Sequence, residues 1–230
     1  MRPLFLVPDL DTTVLDGPEG HHAADVMRLR VGEELLLSDG QGRMAEAVVQ
    51  AVGRGRVELF IQDEWYAIRP APRLVVAQGI AKGDRGELAV QAMTEVGVDE
   101  IVPWAAARSV ARWKDERPLQ RWRSVAREAA KQARRAWLPS VSPVSSTGAL
   151  APRVTFVLHE EATERLSTVA LPARDELVLA VGPEGGVAPE ELAAFEAAGA
   201  VPVRLGETVL RTSTAGVVAL AVLSARLGRW

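Results

Sequence analysis

The stretch that decides the fold is Val178-Leu179-Ala180-Val181-Gly182-Pro183-Glu184-Gly185-Gly186, with Pro189-Glu190-Glu191 close behind it. The apolar run predicts a buried strand, and the glycines that follow predict a tight turn. Proline and acidic residues are typical of the first turn of a helix. A strand, a glycine-rich loop and a helix in this order indicate a mostly parallel α/β sheet. The glycines would let a backbone approach a ligand closely, although an ordinary strand-to-helix turn would use the same residues.

The same alternation extends along the chain on both sides of this stretch. Apolar segments predict strands at 74–78, 101–102, 154–158, 177–181 and 201–205. Helical spacing of apolar residues predicts helices at 88–96, 118–136, 189–198 and 212–227. We therefore expect an α/β domain with four or five parallel strands.

The first seventy residues show a different pattern. Short alternating segments at 3–7, 34–38, 44–51 and 57–62 are separated by turn signals, and one helix is predicted near 19–29. This pattern predicts a small antiparallel β domain. Because Pro70 and Pro72 interrupt the chain, the boundary is expected there, giving domains at 1–70 and 73–230.

Composition excludes several kinds of chemistry. The chain has 230 residues, of which 48% are hydrophobic and 25% charged, so it can bury a substantial core. It has no cysteine, which excludes disulfides, thiolate nucleophiles and iron–sulfur clusters, and with three histidines no metal site is expected. The longest uncharged apolar stretch, 215–225, is shorter than the roughly 18 to 20 residues that a membrane span needs. With Asp9 and Asp11 where a signal peptide would be apolar, a cytoplasmic location is expected.

The net charge of −3 is unevenly distributed. Between Trp104 and Trp137 there are ten lysines or arginines against three acids, a local charge of +7, which leaves −10 for the remainder. On the predicted helix, Arg123, Arg127, Lys131 and Arg134 share one face. This cationic stripe is either a solvated surface or a contact for an RNA backbone. Trp113, between Arg112 and Lys114, could stack on a base.

Three loops follow predicted strands at their carboxyl ends, where ligands bind in α/β sheets. They are 158–161, 181–186 and 205–212. Arg211 stands between a hydrophobic loop and a helix start, where it could bind an anion or be a solvated charge. No Gly-x-Gly-x-x-Gly, Walker, Gly-x-Ser-x-Gly or His-Glu-x-x-His motif is present, which disfavours the usual nucleotide-binding and hydrolase sites.

Several motifs follow one another along the chain. They are His21-His22, Lys82-Gly83-Asp84-Arg85, Glu95-x-Gly97-Val98, Arg127-Glu128-Ala129-Ala130, Gly182-Pro183-Glu184-Gly185-Gly186 and Leu205-Gly206-x-x-Val209-Leu210-Arg211-Thr212. Their order and spacing resemble the RsmE family of SPOUT methyltransferases, the 16S rRNA (uracil-N3)-methyltransferases. The resemblance covers nearly the whole chain, and one departure is Ser213, where the family usually has Glu.

The resemblance implies a PUA-like β-barrel at 1–70 and, at 73–230, an α/β domain with a deep trefoil knot. It also implies that the three loops bind S-adenosyl-L-methionine, with glycine-rich backbone and apolar walls reading the cofactor. The cofactor-binding residues predicted in this way are Leu158, His159, Glu160, Val181, Gly182, Pro183, Gly185, Gly186, Leu205, Gly206, Val209, Leu210 and Thr212.

The implied reaction is methylation of N3 of a uridine, conventionally numbered 1498, in 16S small-subunit ribosomal RNA. Because N3 is a poor nucleophile until its proton leaves, Arg211 is predicted to stabilise the uridine anion. Glu184 or Glu160 is predicted to be a positioning group or the proton acceptor. The alternative is that solvent takes the proton and that the enzyme contributes mainly by holding the methyl group and N3 in line.

The expected partners are ribosomal RNA, free or in the assembled small subunit, and a second copy of the chain. A homodimer is implied by the family, and the last helix is apolar around its circumference, which burial within one chain would also explain. The alternatives are ribose 2′-O methylation of RNA and a non-catalytic rRNA-binding protein. The residues predicted to contact RNA are Arg2, His22, Arg28, Arg30, Lys82, Arg108, Arg123, Arg127, Lys131 and Arg134.

Overall fold

The computed structural model describes residues 2–230, which form two compact units. The first contains residues 2–69 and 130–138, and the second contains residues 70–129 and 139–230. The predicted domain division, 1–70 and 73–230, stays a prediction. It does not anticipate that a segment from the middle of the chain belongs with the N-terminal residues.

The first unit is built on a five-stranded sheet in the order β1-β3-β4-β5-β2. Three of its pairings are antiparallel as predicted, but β1 pairs with β3 in parallel, which corrects the expectation of a wholly antiparallel domain. The parallel pair is possible because the chain makes a crossover between β1 and β3. The strands are β1 (Leu4–Leu6), β2 (Val14–Leu15), β3 (Glu34–Ser38), β4 (Arg43–Gly53) and β5 (Arg56–Tyr66).

The helix predicted at 19–29 begins and ends earlier in the structure. Helix α1 (Gly17–His21) is followed directly by a π-helical turn, His22–Val26. Proline stands in the first turn of α1, where its missing N–H has no helical partner to lose.

The segment 130–138 completes the first unit through side-chain and backbone contacts. The Trp137 indole N–H donates to the Ala67 carbonyl oxygen at 2.9 Å, and its ring meets Tyr66 edge-on with centroids 5.7 Å apart. The Leu138 N–H donates to the Gly40 carbonyl oxygen at 2.9 Å. These residues therefore belong with the β-sheet and not with the α/β unit.

The second unit is an α/β unit whose six-stranded sheet, in the order β11-β9-β10-β6-β7-β8, is parallel throughout. The predicted α/β fold is confirmed, although the strand number is six because β8 is too short to show an apolar pattern. The strands are β6 (Arg73–Gly79), β7 (Glu100–Trp104), β8 (Ser140–Val141), β9 (Phe156–Leu158), β10 (Glu176–Val181) and β11 (Val201–Val203).

Helices cover both faces of this sheet, so its strands read as continuous apolar runs. In β10, residues Leu177 to Val181 are all buried. Within residues 2–230, no helix is long and apolar enough to span a membrane. The remaining helices are α2 (Arg85–Glu95), α3 (Arg117–Gln132), α4 (Thr147–Leu150), α5 (Pro189–Ala197) and α6 (Thr212–Arg226).

Helix α3 ends at Gln132, four residues before the predicted end at 136. Arg134 adopts a left-handed conformation, with φ of 53°, and the Arg135 N–H donates back to the Ala130 carbonyl oxygen. A left-handed residue with this kind of backward hydrogen bond terminates a helix. The stop signal was not visible in the sequence because it falls on arginine and not on glycine.

The amino ends of three neighbouring strands are joined by a charged network. Glu100 at the start of β7 accepts hydrogen bonds from Arg73 and Arg153, both at 3.1 Å, and from the Ser142 hydroxyl at 2.7 Å. Burial by itself raises the pKa of Glu100, but the Arg153 and Ser142 hydrogen bonds and the two arginine charges together hold it below its usual value. Glu176, at the start of β10, accepts from the same Arg153 at 3.1 Å.

Candidate functional site

A cavity of about 450 Å³ lies at the opposite edge of this sheet, beyond the carboxyl ends of β9, β10 and β11. The three loops predicted from the sequence converge on it, as expected for an α/β sheet. All thirteen residues predicted to bind the cofactor line this cavity, and so do both predicted catalytic residues, Arg211 and Glu184. The lining includes Leu158, His159, Glu160, Val181, Gly182, Pro183, Gly185, Gly186, Leu205, Gly206, Val209, Leu210 and Thr212.

The loop after β10 owes its shape to close backbone packing. The Gly186 N–H donates to the Pro183 carbonyl oxygen at 2.9 Å, and Gly186 has a φ of +73°, which favours glycine. Gly79 at the end of β6 permits the loop to approach, because a Cβ there would lie 2.6 Å from the Pro183 nitrogen. The glycines in this part of the chain therefore set the wall of the cavity.

A chain of hydrogen bonds ties three elements together beneath the cavity. The buried Gln78 amide nitrogen donates to the Thr212 Oγ1 at 2.9 Å, and that hydroxyl donates to the Gly182 carbonyl oxygen at 2.8 Å. The bonds connect the end of β6, the start of α6 and the loop after β10. Sequence reasoning missed Gln78, although a lone glutamine in the apolar strand Leu74-Val75-Val76-Ala77-Gln78 was a usable signal.

Arg211 occupies the position just before α6 and faces solvent at the cavity. Its carbonyl oxygen accepts from the Thr214 and Ala215 N–H groups, so the backbone is fixed. Its guanidinium has no hydrogen bond or ion pair with any residue in 2–230. The group is therefore an uncompensated positive charge beside the positive end of a helix dipole, where an anion is stabilised.

Glu184 is engaged with a neighbouring loop. Its Oε1 accepts from the Lys82 backbone N–H at 3.1 Å and lies 3.6 Å from the Arg85 guanidinium. Arg108 reinforces the arrangement by donating to the Gly185 carbonyl oxygen at 3.1 Å. Glu160, in contrast, is exposed and makes no side-chain hydrogen bond or ion pair within the described part of the chain.

The predicted RNA contacts are not equally available. Lys131 is only 8% exposed and binds Glu19 with two contacts of 2.9 Å, so the prediction that it contributes to a solvent-facing cationic stripe is wrong. The sequence pattern did not show that Lys131 is paired, because Glu19 is 112 residues earlier in the chain. Arg2 is also compensated, by Glu34 at 2.9 Å and by Glu46.

The other predicted RNA contacts keep some accessible surface. Arg28, Arg30, Lys82, Arg108, Arg123 and Arg127 are exposed, whereas His22 and Arg134 are half-buried. Arg123 donates to the Val141 carbonyl oxygen at 3.1 Å, and His22 meets Phe5 edge-on. Among residues 2–230 no group of three or more histidines or acids is arranged to hold a metal ion.

Comparison with known families agrees with this arrangement. Residues 69–224 match the family described as RNA methyltransferase domain, and residues 15–62 match the one described as RNA methyltransferase PUA domain. The fold and the cavity thus define an RNA methyltransferase with a PUA-type N-terminal region.

The relatives narrow this class. Ribosomal RNA small subunit methyltransferase E of Mycobacterium bovis is 47% identical over 243 residues, covering 99% of this chain and 93% of the relative. The protein of that name from Bacillus subtilis is 30% identical, with 95% and 91% covered. This chain belongs to the ribosomal RNA small subunit methyltransferase E family, and the predicted resemblance is confirmed.

A solved structure agrees over the full length. The Neisseria gonorrhoeae ribosomal RNA small subunit methyltransferase E, bound to S-adenosyl methionine, superposes with a TM-score of 0.88 at 26% identity and covers 98% of both chains. A Legionella pneumophila methyltransferase in complex with the same cofactor has a TM-score of 0.84 at 27% identity, covering 98% of this chain and 97% of its own.

Proposed function

We propose that this chain transfers a methyl group from S-adenosyl-L-methionine to N3 of a uridine in small-subunit ribosomal RNA. The observation that carries the proposal is the uncompensated Arg211 guanidinium at a cavity formed by the family's three loops. Membership of the family supports the methyl transfer to ribosomal RNA. The uracil-N3 position is our inference from the resemblance and from the chemistry of the cavity.

The residues of the cavity fit S-adenosyl-L-methionine. A volume of about 450 Å³ is in the range of sites that enclose small organic ligands, which is about 300–1,000 Å³. Leu158, Val181, Leu205 and Leu210 supply apolar walls for an adenine ring, and glycine backbone supplies hydrogen-bonding groups. The exposed Glu160 adds a negative charge that suits the cofactor's sulfonium and ammonium groups.

The chemistry that the cofactor supplies is an electrophilic methyl group, so the protein must make the uridine nucleophilic. Uridine N3 attacks only after losing its proton, and the resulting negative charge is shared with the ring oxygens. The Arg211 guanidinium, fixed by the start of α6, can stabilise that charge as it develops. The proton leaves to solvent or to Glu160, the acid at the cavity that has no partner within residues 2–230.

Glu184 has a positioning role in this proposal. Since its carboxylate accepts from the Lys82 N–H and faces Arg85, it holds the loop 82–85 against the glycine-rich loop after β10. A proton acceptor would have to leave those partners. In this proposal Glu184 is the positioning group, and Glu160 or solvent takes the proton.

We further propose that the chain acts in the cytoplasm, where ribosomal RNA is made and assembled.

We also propose that the chain acts as a homodimer. In support of the dimer, Val218 on α6 is 38% exposed, and Ala221 and Val222 on the same helix are half-buried. An apolar helix face of this kind is stabilised by a second copy. Sedimentation velocity at micromolar concentration should show a dimer that Val218→Asp converts to monomer.

The function is tested by incubating the purified chain with labelled S-adenosyl-L-methionine and small-subunit RNA, then separating the nucleosides. We expect label in N3-methyluridine. Label in a 2′-O-methylated nucleoside would replace the proposed specificity with ribose methylation. Binding of RNA without any transfer, and without calorimetric binding of S-adenosyl-L-methionine, would leave a non-catalytic RNA-binding protein.

A further inference from the structure

A second cavity, of about 500 Å³, lies in the α/β unit and is not used by the proposed reaction. Its walls come from the loop after β6, from the first turn of α2, from the segment before α3 and from the first turns of α3. Its lining includes Gly83, Gly86, Arg112, Trp113, Lys114 and Trp122.

One wall of this cavity is aromatic. Trp122 is buried, and Trp113 packs against it edge-to-face with ring centroids 4.9 Å apart. Trp113 itself is only half-buried, so part of its indole faces the cavity. A half-buried tryptophan held rigidly by a second ring provides a surface on which a base of single-stranded RNA can stack.

The charges that surround the ring do not balance. Asp115 is bound by Arg117 at 2.6 Å, a hydrogen bond that lowers the pKa of that carboxyl, and Glu87 is bound by Arg121 at 2.7 Å. Each acid is therefore matched by one arginine. Two further cations, Arg112 and Lys114, flank Trp113, are exposed and have no ion pair with any residue in 2–230. The cavity keeps an excess of two positive charges.

The second cavity adjoins the first along the loop after β6 and the first turn of α2, which follows that loop directly. Arg85 lines the first cavity, whereas Gly83 and Gly86 line the second. The loop is fixed at its start, because the Lys82 N–H donates to Glu184. A strand whose target uridine lies in the first cavity thus needs to cross only this loop to reach the second.

We propose that the second cavity binds a nucleotide that neighbours the methylated uridine in the substrate RNA. Trp113 stacks on the base, and Arg112 and Lys114 bind the adjoining phosphates. A polyanionic single strand is favoured over a protein because the unpaired charges are all positive and flank an aromatic surface. This inference rests on the proposed function, because it takes the substrate to be RNA with its target in the first cavity.

The charges are tested with the double variant R112A/K114A, and the matched control is R54A/R174A, which removes two exposed arginines elsewhere. For R112A/K114A we expect the KM for RNA to rise about tenfold, and the slope of log KM against log salt to fall by roughly one per lost phosphate contact. Its kcat at saturating RNA and its Kd for S-adenosyl-L-methionine should stay at wild-type values, and the control should behave as wild type throughout.

The stacking is tested with Trp113→Leu and Trp113→Phe. Loss of one stacked base should raise the KM for RNA about tenfold in the Leu variant, whereas phenylalanine should restore it to within about threefold of wild type. Thermal unfolding of both variants separates this effect from a loss of folding. If the Leu and Phe variants bind RNA equally well, Trp113 does not stack on a base.

Truncated RNAs locate the neighbouring nucleotide. When the RNA ends at the target uridine on the side that enters the second cavity, wild type and R112A/K114A should have equal KM values. If the wild type methylates RNA and R112A/K114A matches R54A/R174A with every substrate, the second cavity does not bind RNA. A shift in sedimentation without a change in KM would assign this face to contact between copies and overturn the proposal.

The failure of the proposed function would look different. In that case the wild type would transfer no methyl group to any small-subunit RNA. Fluorescence anisotropy of a labelled RNA without cofactor would then still compare wild type, R112A/K114A and the control. Equal affinities for all three would overturn the RNA site independently of the reaction.

Discussion

The Thr212 hydroxyl donates a 2.8 Å hydrogen bond to the carbonyl oxygen of Gly182, thirty residues earlier in the chain. The same oxygen atom of Thr212 accepts from the amide of Gln78. One hydroxyl therefore fixes the first residue of α6 to the loop after β10, and both elements line the cavity. We infer that this bond sets the width of the proposed cofactor site.

Replacement of Thr212 by valine should weaken cofactor binding more than it weakens the fold. The substitution keeps the shape but removes the hydroxyl donor to the Gly182 carbonyl oxygen, and the Gln78 amide nitrogen keeps only its longer bonds to the Gly79 and Thr212 carbonyl oxygens. A buried group that loses its hydrogen-bond partner costs about 1–3 kcal/mol. We expect the Kd for S-adenosyl-L-methionine, measured by calorimetry, to rise about tenfold or more.

The matched control is Thr214→Val, two residues later on the same helix. That hydroxyl bonds only the Arg211 carbonyl oxygen and is exposed, so cofactor affinity should stay within about twofold of wild type. Thr212→Ser keeps the hydroxyl and should restore most of the affinity. Equal affinities in Thr212→Val and Thr214→Val would show that the bond does not shape the site.

Replacement of Arg211 by alanine should lower kcat at saturating RNA. Removing one preorganised group that stabilises developing negative charge costs about 10²- to 10³-fold in kcat. The Kd for S-adenosyl-L-methionine should change little, because the guanidinium is expected to face the uridine. The rate of the variant should also continue to rise with pH where that of the wild type levels off, since the anion must then form without help.

Arg174→Ala, which removes an exposed arginine away from the cavity, serves as control for the change in net charge. Unchanged turnover of Arg211→Ala at saturating RNA would remove Arg211 from the mechanism. A lysine at position 211 should recover part of the activity, because it keeps the charge but not the planar pair of donors.

Lys131 and Arg127 should separate stability from RNA binding. Lys131→Met leaves the partly buried Glu19 without its partner and should lower the free energy of unfolding by about 3 kcal/mol, whereas RNA affinity should change little. Arg127→Met should lower RNA affinity and leave the free energy of unfolding nearly unchanged, because Arg127 is exposed and has no partner within residues 2–230. Urea unfolding and RNA titration of both variants measure the two effects.

The double variant E19Q/K131M also removes the negative charge of Glu19, which Lys131→Met alone leaves unpaired. It should therefore recover part of the lost free energy of unfolding, and a double-mutant cycle measures how much. RNA titrations are made under conditions in which both variants are folded. If Lys131→Met then lowers RNA affinity as much as Arg127→Met does, the ion pair between Lys131 and Glu19 opens when RNA binds, contrary to our account.

The Glu100 network should make the stability of the chain depend on acid pH. Because the pKa of Glu100 is lower in the folded chain than in the unfolded one, its stabilising contribution is complete above about pH 5 and is lost as the pH falls through the folded-state value. Glu100→Gln should therefore lower the free energy of unfolding at pH 7 by about 2 kcal/mol, and this difference from wild type should shrink toward pH 3.

Glu196→Gln is the control, since Glu196 is exposed on α5 and makes no ion pair in the described chain. Its urea unfolding should follow wild type at every pH. A difference between wild type and Glu100→Gln that is constant from pH 7 to pH 3 would exclude titration of Glu100 as the cause.

The sequence predicted much of the α/β unit because its signals are local. The apolar run ending at Val181, the glycines after it and the position of Arg211 before a helix lie within short stretches, and the loops they define meet in the structure. The two-residue β8 was not predicted, because so short a segment has no measurable pattern.

The features that the sequence could not predict depend on partners far along the chain. Lys131 read as a surface charge because Glu19, which neutralises it, is not adjacent on the helix. The sequence pattern includes Gln78 in an apolar strand and does not show its hydrogen-bond partner, Thr212, because that residue is 134 residues later in the sequence. The place of Trp137 in the N-terminal unit was not predicted for the same reason, because its hydrogen-bond partner, Ala67, is 70 residues earlier in the sequence. The trefoil knot stays an implication of the family.

The central claim is tested most directly by mass mapping of small-subunit ribosomal RNA from a strain that lacks the gene. The account predicts that one uridine loses a single methyl group on its base, that the wild-type gene restores it and that the Arg211→Ala gene does not. A methylation pattern identical with and without the gene, or a loss confined to a ribose methyl group, would contradict it.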